Sequence, residues 1–399
     1  MSSQDPPSTW AVIAGGGTGG HLYPGVAVAR ALVERGHDPA TLRFVAARRG
    51  LEAKTRALEG FPVTLLPGRG LDRRLSGRSL LSNLQALAEW FAAIVTAVLL
   101  FSKWRPSVVI SLGGYASLGC VVAAFVWRVP IVVVNVDAVP GAVNRLAARV
   151  AAASAVASTE VRLARAVATG VPVRAEMAAI DRSPEGRRAA RERFGLPRDA
   201  TVVAVSGGSL GSLRINLATV ELARLWAGRD DVAIRHVVGS RDWQALCGTA
   251  GPSGRMTYQQ VEYEDDMVSF YGAADVTVQR AGANTIAELS LAGVPSVLVP
   301  LPGAPGDHQA ANARSMAGAG GAVIIQDEEL DGARLARELQ ELVADPQRLA
   351  RMGEAANALA RPRAADEVAR LVEEQAVGSA PPDLLLKGGS GVKGGGGAG

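Results

Sequence analysis

The run Gly15-Gly16-Gly17-Thr18-Gly19-Gly20-His21, directly behind the apolar segment Trp10-Ala11-Val12-Ile13-Ala14, constrains this chain more than any other feature. Five of its seven residues lack a Cβ, so a ligand or a second chain segment can approach the main chain closely there. The segment before it reads as a buried parallel strand. Residues 22–35 put Val26, Ala29, Leu32 and Val33 on one helical face. Strand, glycine turn and helix in that order aim free backbone N–H groups and a positive dipole end at an anion. His21 adds a titratable group at the mouth of the turn, so the pattern predicts an anion or hydroxyl site with an acid–base group beside it.

Short apolar runs alternate with amphipathic stretches along the rest of the chain. They fall at 10–14, 42–46, 62–66, 107–112, 130–136 and 153–157, and again at 201–206, 233–238, 274–279, 295–299 and 321–325. Helical patterns in the gaps imply βαβ units and two parallel sheets. Each series opens with a glycine turn, the second being Gly207-Gly208-Ser209-Leu210-Gly211. The expected fold is therefore α/β, two Rossmann-like parallel-sheet domains facing across a cleft, where doubly wound sheets bind ligands. Gly170 and Pro172 interrupt regular structure and set the division into 1–168 and 169–360, with a helix at about 360–375 able to return to the first domain. The Gly-rich tail, 376–399, cannot bury enough apolar surface to offset its ordering entropy and is expected to be disordered.

With 399 residues the chain can bury two cores. Cys120 and Cys247 show no metal or redox spacing, and buried free thiols in a reducing compartment are expected. The polar N-terminus is unlike a secretory signal, which points to the cytoplasm. Net charge is +4, but residues 1–160 carry +7 and the remainder −3. A basic first half with only 5% aromatics suits an anionic membrane surface or phosphorylated lipid better than nucleic acid. Residues 90–101 form a twelve-residue stretch without charge. A span needs ~20, so no transmembrane helix is expected. Flanking Arg69, Arg73, Arg74, Arg78, Lys103 and Arg105 suit an apolar helix dipping into the headgroup region, and a core helix over the first sheet is the other reading.

The first turn contains the Gly-x-Gly-x-x-Gly spacing of dinucleotide folds, but strand two ends Ala46-Ala47-Arg48-Arg49, without the carboxylate that a ribose needs. An arginine pair could accept a 2′-phosphate, which leaves a NADP site open. In the second half, Arg280-Ala281-Gly282-Ala283-Asn284-Thr285 follows a strand and opens a helix. Its small residues leave N–H groups for a diphosphate. Glu288 lies one turn beyond Thr285 and faces the same way, either to accept a ribose diol or to complement the helix dipole. Asp307-His308-Gln309 with Asn312 would end the next strand, and amides suit sugar hydroxyls. Asp265-Asp266 reads as a helix cap, and no carboxylate pair has metal-ligand character.

These motifs together resemble the MurG family of N-acetylglucosaminyltransferases. The matching residues are Gly-Gly-Thr-Gly-Gly-His with Pro24 and Ala27, Gly113-Gly114-Tyr115-Ala116-Ser117, and Val139-Pro140-Gly141 with Asn144-Arg145. Gly207-Gly208-Ser209 with Asn216, Asp265-Asp266-Met267, Arg280 to Ala283, Thr285, Glu288-Leu289 and Asp307-His308-Gln309 with Asn312 complete the set. The resemblance implies a GT-B glycosyltransferase with UDP-N-acetylglucosamine in the C-terminal domain. The acceptor, an undecaprenyl-diphosphate-linked muramoylpentapeptide, would enter the N-terminal domain at the cytoplasmic face of the plasma membrane, with no metal or organic cofactor.

By matched position, Glu288 would bind the ribose, Ser209, Arg280, Ala283 and Thr285 would lie near the diphosphate, and Arg174, Tyr263, Glu264 and Met267 would surround the uracil. Gln309 would reach sugar hydroxyls. Gly17, Thr18, Gly19, Gly20, Tyr115 and Asn144 would receive the acceptor, with His21 as general base. Where the family usually carries His-Glu-Gln-Asn, this chain has Val134-Asn135-Val136-Asp137. Asp137 beside His21 would raise its basicity, or else cap the helix near Pro140. That departure also admits a related enzyme with another lipid or glycan acceptor. A UDP-sugar-binding relative without catalysis is the remaining alternative.

Overall fold

The structure is a computed structural model that describes residues 8–15, 19–47, 58–67, 77–208, 210–249 and 254–376, with backbone alone at 77–84 and 116. Its first half contains β1 (Ala11–Ala14), α1 (Gly19–Glu34), β2 (Leu42–Ala47), β3 (Val63–Leu66), α2 (Gly77–Trp104), β4 (Val108–Ser111) and α3 (Tyr115–Trp127). It continues through β5 (Ile131–Asn135), α4 (Ala142–Ala148), β6 (Ala153–Val156) and β7 (Ala166–Ala168). These strands form one parallel sheet in the order β3-β2-β1-β4-β5-β6-β7. The central strands are covered by helices on both faces, so β1, β4 and β5 are buried along their whole length. That is why they read as unbroken apolar runs instead of alternating ones.

The second half carries α5 (Pro184–Arg193), β8 (Thr201–Ser206), α6 (Leu213–Leu225), β9 (Val232–Val237), α7 (Trp243–Leu246), β10 (Thr257–Val261), α8 (Met267–Ala273) and β11 (Val276–Gln279). It ends with α9 (Ala283–Ala292), β12 (Ser296–Leu298), α10 (His308–Gly318), β13 (Ala322–Ile324), α11 (Gly332–Val343), α12 (Pro346–Asn357) and α13 (Ala364–Gln375). Its parallel sheet runs β10-β9-β8-β11-β12-β13. Two strands lie outside the apolar runs of the sequence, β7 and β10. Both are edges: β7 is exposed throughout, and β10, Thr-Tyr-Gln-Gln-Val, is half-buried. An edge strand buries too little surface to need an apolar run.

Two glycines set how closely α1 approaches its sheet. A Cβ on Gly15 would lie 2.7 Å from Leu112 Cβ, and one on Gly25 would lie 2.6 Å from Leu112 Cδ1. Leu112 therefore fills the space those missing methyl groups leave beneath the first turn.

Two expectations need correction. The apolar character of α2 extends well beyond the uncharged stretch 90–101. Gln85–Trp104, 20 residues, is long and apolar enough to cross a membrane by length and composition, because the isolated Glu89 and Lys103 do not outweigh their neighbours. One face of this helix is nonetheless part of the domain core, where Ala93, Ala97 and Phe101 join Cys120, Val121 and Ala124 of α3. Cys247 is exposed, not buried, since it sits just past the four-residue α7. The arginines at 48, 49, 69, 73 and 74 and the tail from 377 lie outside the described residues, as does the side chain of Arg78.

The last helix, α13, packs on the first half. Val368, Ala369, Leu371 and Val372 belong to the same buried cluster as Ile13, Leu32 and Val132. Glu373, largely buried, accepts from Arg35 Nε at 2.9 Å and Nη2 at 2.7 Å, and meets His37 Nε2 at 3.0 Å. Glu373→Ala removes the acceptor of Arg35 Nε and Nη2 and the partner of His37 at this seam, while Arg35 keeps Asp366 at 2.8 Å, and should cost about 1–3 kcal/mol. An unchanged urea midpoint for that variant would refute it.

Candidate active site in the cleft between the two sheets

Both sheets present the C-terminal ends of their strands to a shared cleft. From the first sheet comes the start of α1, and from the second come the start of α9 and the loop after β12. Pro24 lies within α1 and has no N–H to give to the carbonyl four residues back, which is that of Gly20. Asn284 Nδ2, in the first turn of α9, reaches that same Gly20 oxygen at 3.5 Å. The helix starts on the two sides of the cleft therefore touch where the proline leaves an acceptor open. His21 stands next to this contact, half-buried in the first turn of α1.

Asn312 makes the second crossing. Its side chain is buried; Oδ1 accepts from Ala138 N at 2.9 Å, and Nδ2 donates to Ala281 O at 3.1 Å and Asp137 Oδ1 at 3.4 Å. The amide expected near a sugar is thus spent joining the loop after β5 to the turn before α9. Asp137 does not cap α4, whose cap residue is Gly141 with no side-chain bond. Its carboxylate meets Asn312 instead. Asn135 donates to Asp137 O at 2.7 Å and accepts from Asn144 Nδ2 at 3.0 Å. Asn144 is buried beneath the turn before Tyr115, and a Cβ on Gly113 would strike its Oδ1 at 2.7 Å. Tyr115 begins α3 behind Gly114, whose φ is +77°.

On the other wall, Glu288 projects from α9 and is flanked on two sides. Tyr271 donates its hydroxyl to Glu288 Oε2 at 3.0 Å, and Arg174 Nη2 lies 3.7 Å from Oε1. Burial raises the pKa of this carboxyl, while Arg174 and Tyr271 oppose that rise. The Arg174 guanidinium lies 5.5 Å from the ring of Tyr23 on α1. Tyr23 also stands against Tyr263, whose phenol is pushed up to about 12, chiefly by burial. The spacing of Thr285 and Glu288 on α9 follows the sequence expectation, and Gly282 caps the helix with Ala283 as its first residue. Tyr23 and Tyr271 were not singled out in the sequence. The only available signals were their places two residues after His21 and four after Met267.

Other expected site residues turn inward. Arg280 sends Nη1 to Val299 O and Pro300 O, both at 3.1 Å, and to Asp327 at 2.7 Å, with Nη2 on Ser212 Oγ at 2.7 Å. Glu264 is buried, bonded through Oε2 to Arg235 at 2.6 Å and through Oε1 to Asp266 N at 3.0 Å. Both are scaffold for the turns that carry their neighbours. Asp266 caps α8 through Ser269 N at 3.0 Å, and Met267 opens that helix, half-buried. Gln309 Oε1 accepts from Leu301 N at 3.0 Å. Gly17, Thr18 and Ser209 lie outside the described residues.

A buried network shapes the second glycine turn. A Cβ on Gly239 would come within 2.2 Å of Gly211 N, and one on Gly211 within 2.1 Å of Val238 O. The loops after β8 and β9 therefore pack main chain on main chain. Asn216 fixes that approach by donating Nδ2 to Val238 O at 2.9 Å and Asp242 Oδ2 at 3.0 Å. Its Oδ1 faces His236 Nε2 at 3.0 Å, and Tyr258 OH faces Nδ1 at 2.9 Å. Since that amide oxygen only accepts, Nε2 carries the proton and Tyr258 donates to Nδ1.

Residues 11–156 match the glycosyltransferase family 28 N-terminal domain, and residues 202–368 match the glycosyltransferase family 28 C-terminal domain. The fold and cleft are those of a two-domain glycosyltransferase of the GT-B type. Two curated relatives are both named UDP-N-acetylglucosamine--N-acetylmuramyl-(pentapeptide) pyrophosphoryl-undecaprenol N-acetylglucosamine transferase. The one from Desulforudis audaxviator is 35% identical, over 92% of this chain and 98% of its own. The one from Anaeromyxobacter sp. strain K is 38% identical, over 91% and 92%. The crystal structure of Acinetobacter baumannii MurG superposes with a TM-score of 0.70 at 26% identity, covering 92% of this chain and all of that one. The chain belongs to the MurG family of glycosyltransferase family 28.

His236 supplies a measurable consequence of the buried network. Burial lowers its pKa from 6.5 to about 3. Between those values the unfolded chain binds a proton that the folded one does not, so stability is complete above pH 6.5 and falls as the pH drops below it. His236→Gln should remove about 1.4 kcal/mol per pH unit from the slope of unfolding free energy between pH 6 and 5. A slope equal to the parent's would contradict the assignment.

Proposed function

We propose that this protein transfers N-acetylglucosamine from UDP-N-acetylglucosamine to the 4-hydroxyl of undecaprenyl-diphosphate-linked muramoylpentapeptide, with inversion at the anomeric carbon. The observation that carries the reading is the meeting of α1 and α9 across the cleft. It sets His21 on one side and the helix start bearing Thr285 and Glu288 on the other. Glu288, pushed by burial toward a higher pKa, accepts the ribose diol. Arg174 and the segment from Tyr263 to Met267 enclose the uracil. The N–H groups at the start of α9, with Thr285 and Ser209, receive the diphosphate, and Gln309 reaches sugar hydroxyls. On the acceptor side, the Gly17–Gly20 turn takes the second diphosphate, and Tyr115 and Asn144 serve the acceptor as well.

The chemistry asks for positioning and charge stabilisation. The acceptor oxygen attacks the anomeric carbon from the face opposite UDP, the C1–O bond to the diphosphate breaks, and His21 takes the acceptor proton. Negative charge gathers on the departing diphosphate, where the α9 dipole opposes it. Asp137 acts on this site through Asn312 and the turn before α9. The departure at Val134–Asp137 is absorbed by bonds internal to the scaffold, so it does not itself favour a different acceptor.

The lipid end of the acceptor calls for a membrane surface. Leu87, Phe91, Val95 and Leu99 recur every four residues along α2, and Phe91 and Leu99 are 69% and 61% exposed. Phe125, Val126 and Trp127 at the end of α3 extend this patch, since Trp127 Nε1 donates to Val98 O at 2.9 Å. Lys103, Arg105 and Arg128 border it in sequence. An apolar stripe edged by cations fits a peripheral seat on the cytoplasmic leaflet.

Three variants test the proposal. His21→Ala should lower sugar transfer to the lipid acceptor by about 100-fold or more while UDP binding persists, and near-normal transfer would remove His21 as the base. Glu288→Ala should weaken UDP-N-acetylglucosamine binding at least tenfold, as an ionised acceptor is lost, and unaltered calorimetric affinity would remove the ribose assignment. Phe91→Asp with Leu99→Asp should reduce sedimentation with anionic vesicles while leaving UDP binding intact. Equal sedimentation would dissociate the stripe from the membrane.

A further inference from the structure

We infer that Tyr271 is a positioning residue for the nucleotide: it holds one oxygen of the Glu288 carboxylate so that the other is free to pass from Arg174 to the ribose. The inference rests on the reading of Glu288 as the ribose acceptor. Tyr271 is among the largest fully buried side chains of the protein, and its ring lies edge-on to Phe270 at 5.5 Å. A buried tyrosine needs a partner for its hydroxyl, and this one spends its single proton on Glu288 Oε2, 3.0 Å away. The same hydroxyl lies 3.4 Å from the Gln279 side-chain amide. The Gln279 Nε2 is buried and otherwise unpartnered. With that amide turned over, Nε2 donates to the Tyr271 oxygen while the hydroxyl keeps its proton on Glu288. The result is a relay running from the end of β11 through Tyr271 to the carboxylate, each bond polarising the next.

The opposite oxygen is held differently. Oε1 faces Arg174 at 3.7 Å, a distance of charge attraction without a close hydrogen bond. Arg174 is itself in contact with Tyr23, and Tyr23 with Tyr263. Arg174 Nε is buried with no partner. The carboxylate thus has one short, fixed bond and one loose, exchangeable one. A diol hydroxyl can displace the guanidinium at Oε1 without releasing the rotamer fixed at Oε2. The charged and titratable groups facing Glu288 are Arg174, from the segment before α5, and Tyr271, from α8. The Tyr271 hydroxyl favours the ionised carboxylate, so deleting it moves protonation of Glu288 to higher pH.

The test is Tyr271→Phe in the full-length protein, which keeps the ring and its packing. Donor KM and the calorimetric Kd for UDP should each rise about tenfold, equivalent to 1.4 kcal/mol, with kcat within about twofold and acceptor KM unchanged. The acid limb of kcat/KM for the donor should shift upward, whereas a purely structural role would alter the melting temperature and leave that limb in place. Gln279→Met should move the same quantities in the same direction by less. A Tyr271→Phe protein with parental donor KM and acid limb overturns the inference, whatever its melting temperature. Glu288→Ala separates the two levels. If it abolishes UDP binding while Tyr271→Phe is silent, only the positioning role falls; if it leaves UDP binding intact, the ribose reading falls and takes this inference with it.

Discussion

The arrangement of this molecule hangs on one buried amide. Asn312, from α10 of the second sheet, accepts from Ala138 N and donates to Ala281 O, and so joins the floor of the cleft from both sides. A buried side-chain amide left unmatched is costly, which gives those two turns a single favourable spacing. α9 can present its first turn to α1 only at that spacing, and the Asn284–Gly20 contact depends on it. The same bond explains why Asp137 stands where it does. Its carboxylate is the third partner of an amide whose main task is mechanical.

The layout of the sheets was readable in the sequence because buried parallel strands leave unbroken apolar runs. β1, β4, β5 and β8 do so, whereas β11, Val-Thr-Val-Gln, is buried throughout although its residues alternate. β7 and β10 were not readable, since an edge strand with one open side can be built from Thr, Tyr and Gln as easily as from Val. The apolar face of α2 is also longer than its uncharged stretch suggests. Counting uncharged residues penalises a lone Glu89 as much as a polar segment, whereas a helix averages over its neighbours.

Legibility at the site followed a different line. Positions set by local geometry, such as Glu288 one turn after Thr285 on α9 or Asp266 at the cap of α8, can be placed from spacing alone. Residues whose side chains turn into the scaffold could not. Arg280, Glu264 and Asn312 sit within recognisable motifs, yet their polar atoms serve carbonyls and amides that only the tertiary fold brings near. Tyr23 and Tyr271 were missed for the converse reason. An aromatic residue on a helix reads as core, and nothing local distinguishes a ring whose hydroxyl ends on a carboxylate.

The return of α13 to the first sheet means that the polypeptide passes between the lobes twice, near Gly170 and again near Arg361. A Cβ on Gly170 would lie 2.5 Å from Arg361 Cβ, so the two crossings run side by side. Paired crossings act as the leaves of a door hinge: they permit one swing axis and resist shear or twist between the lobes. They also make the first lobe topologically unfinished by itself. A fragment ending before residue 200 would lack the helix that covers Val132 and Leu32 and would leave that apolar face open to water.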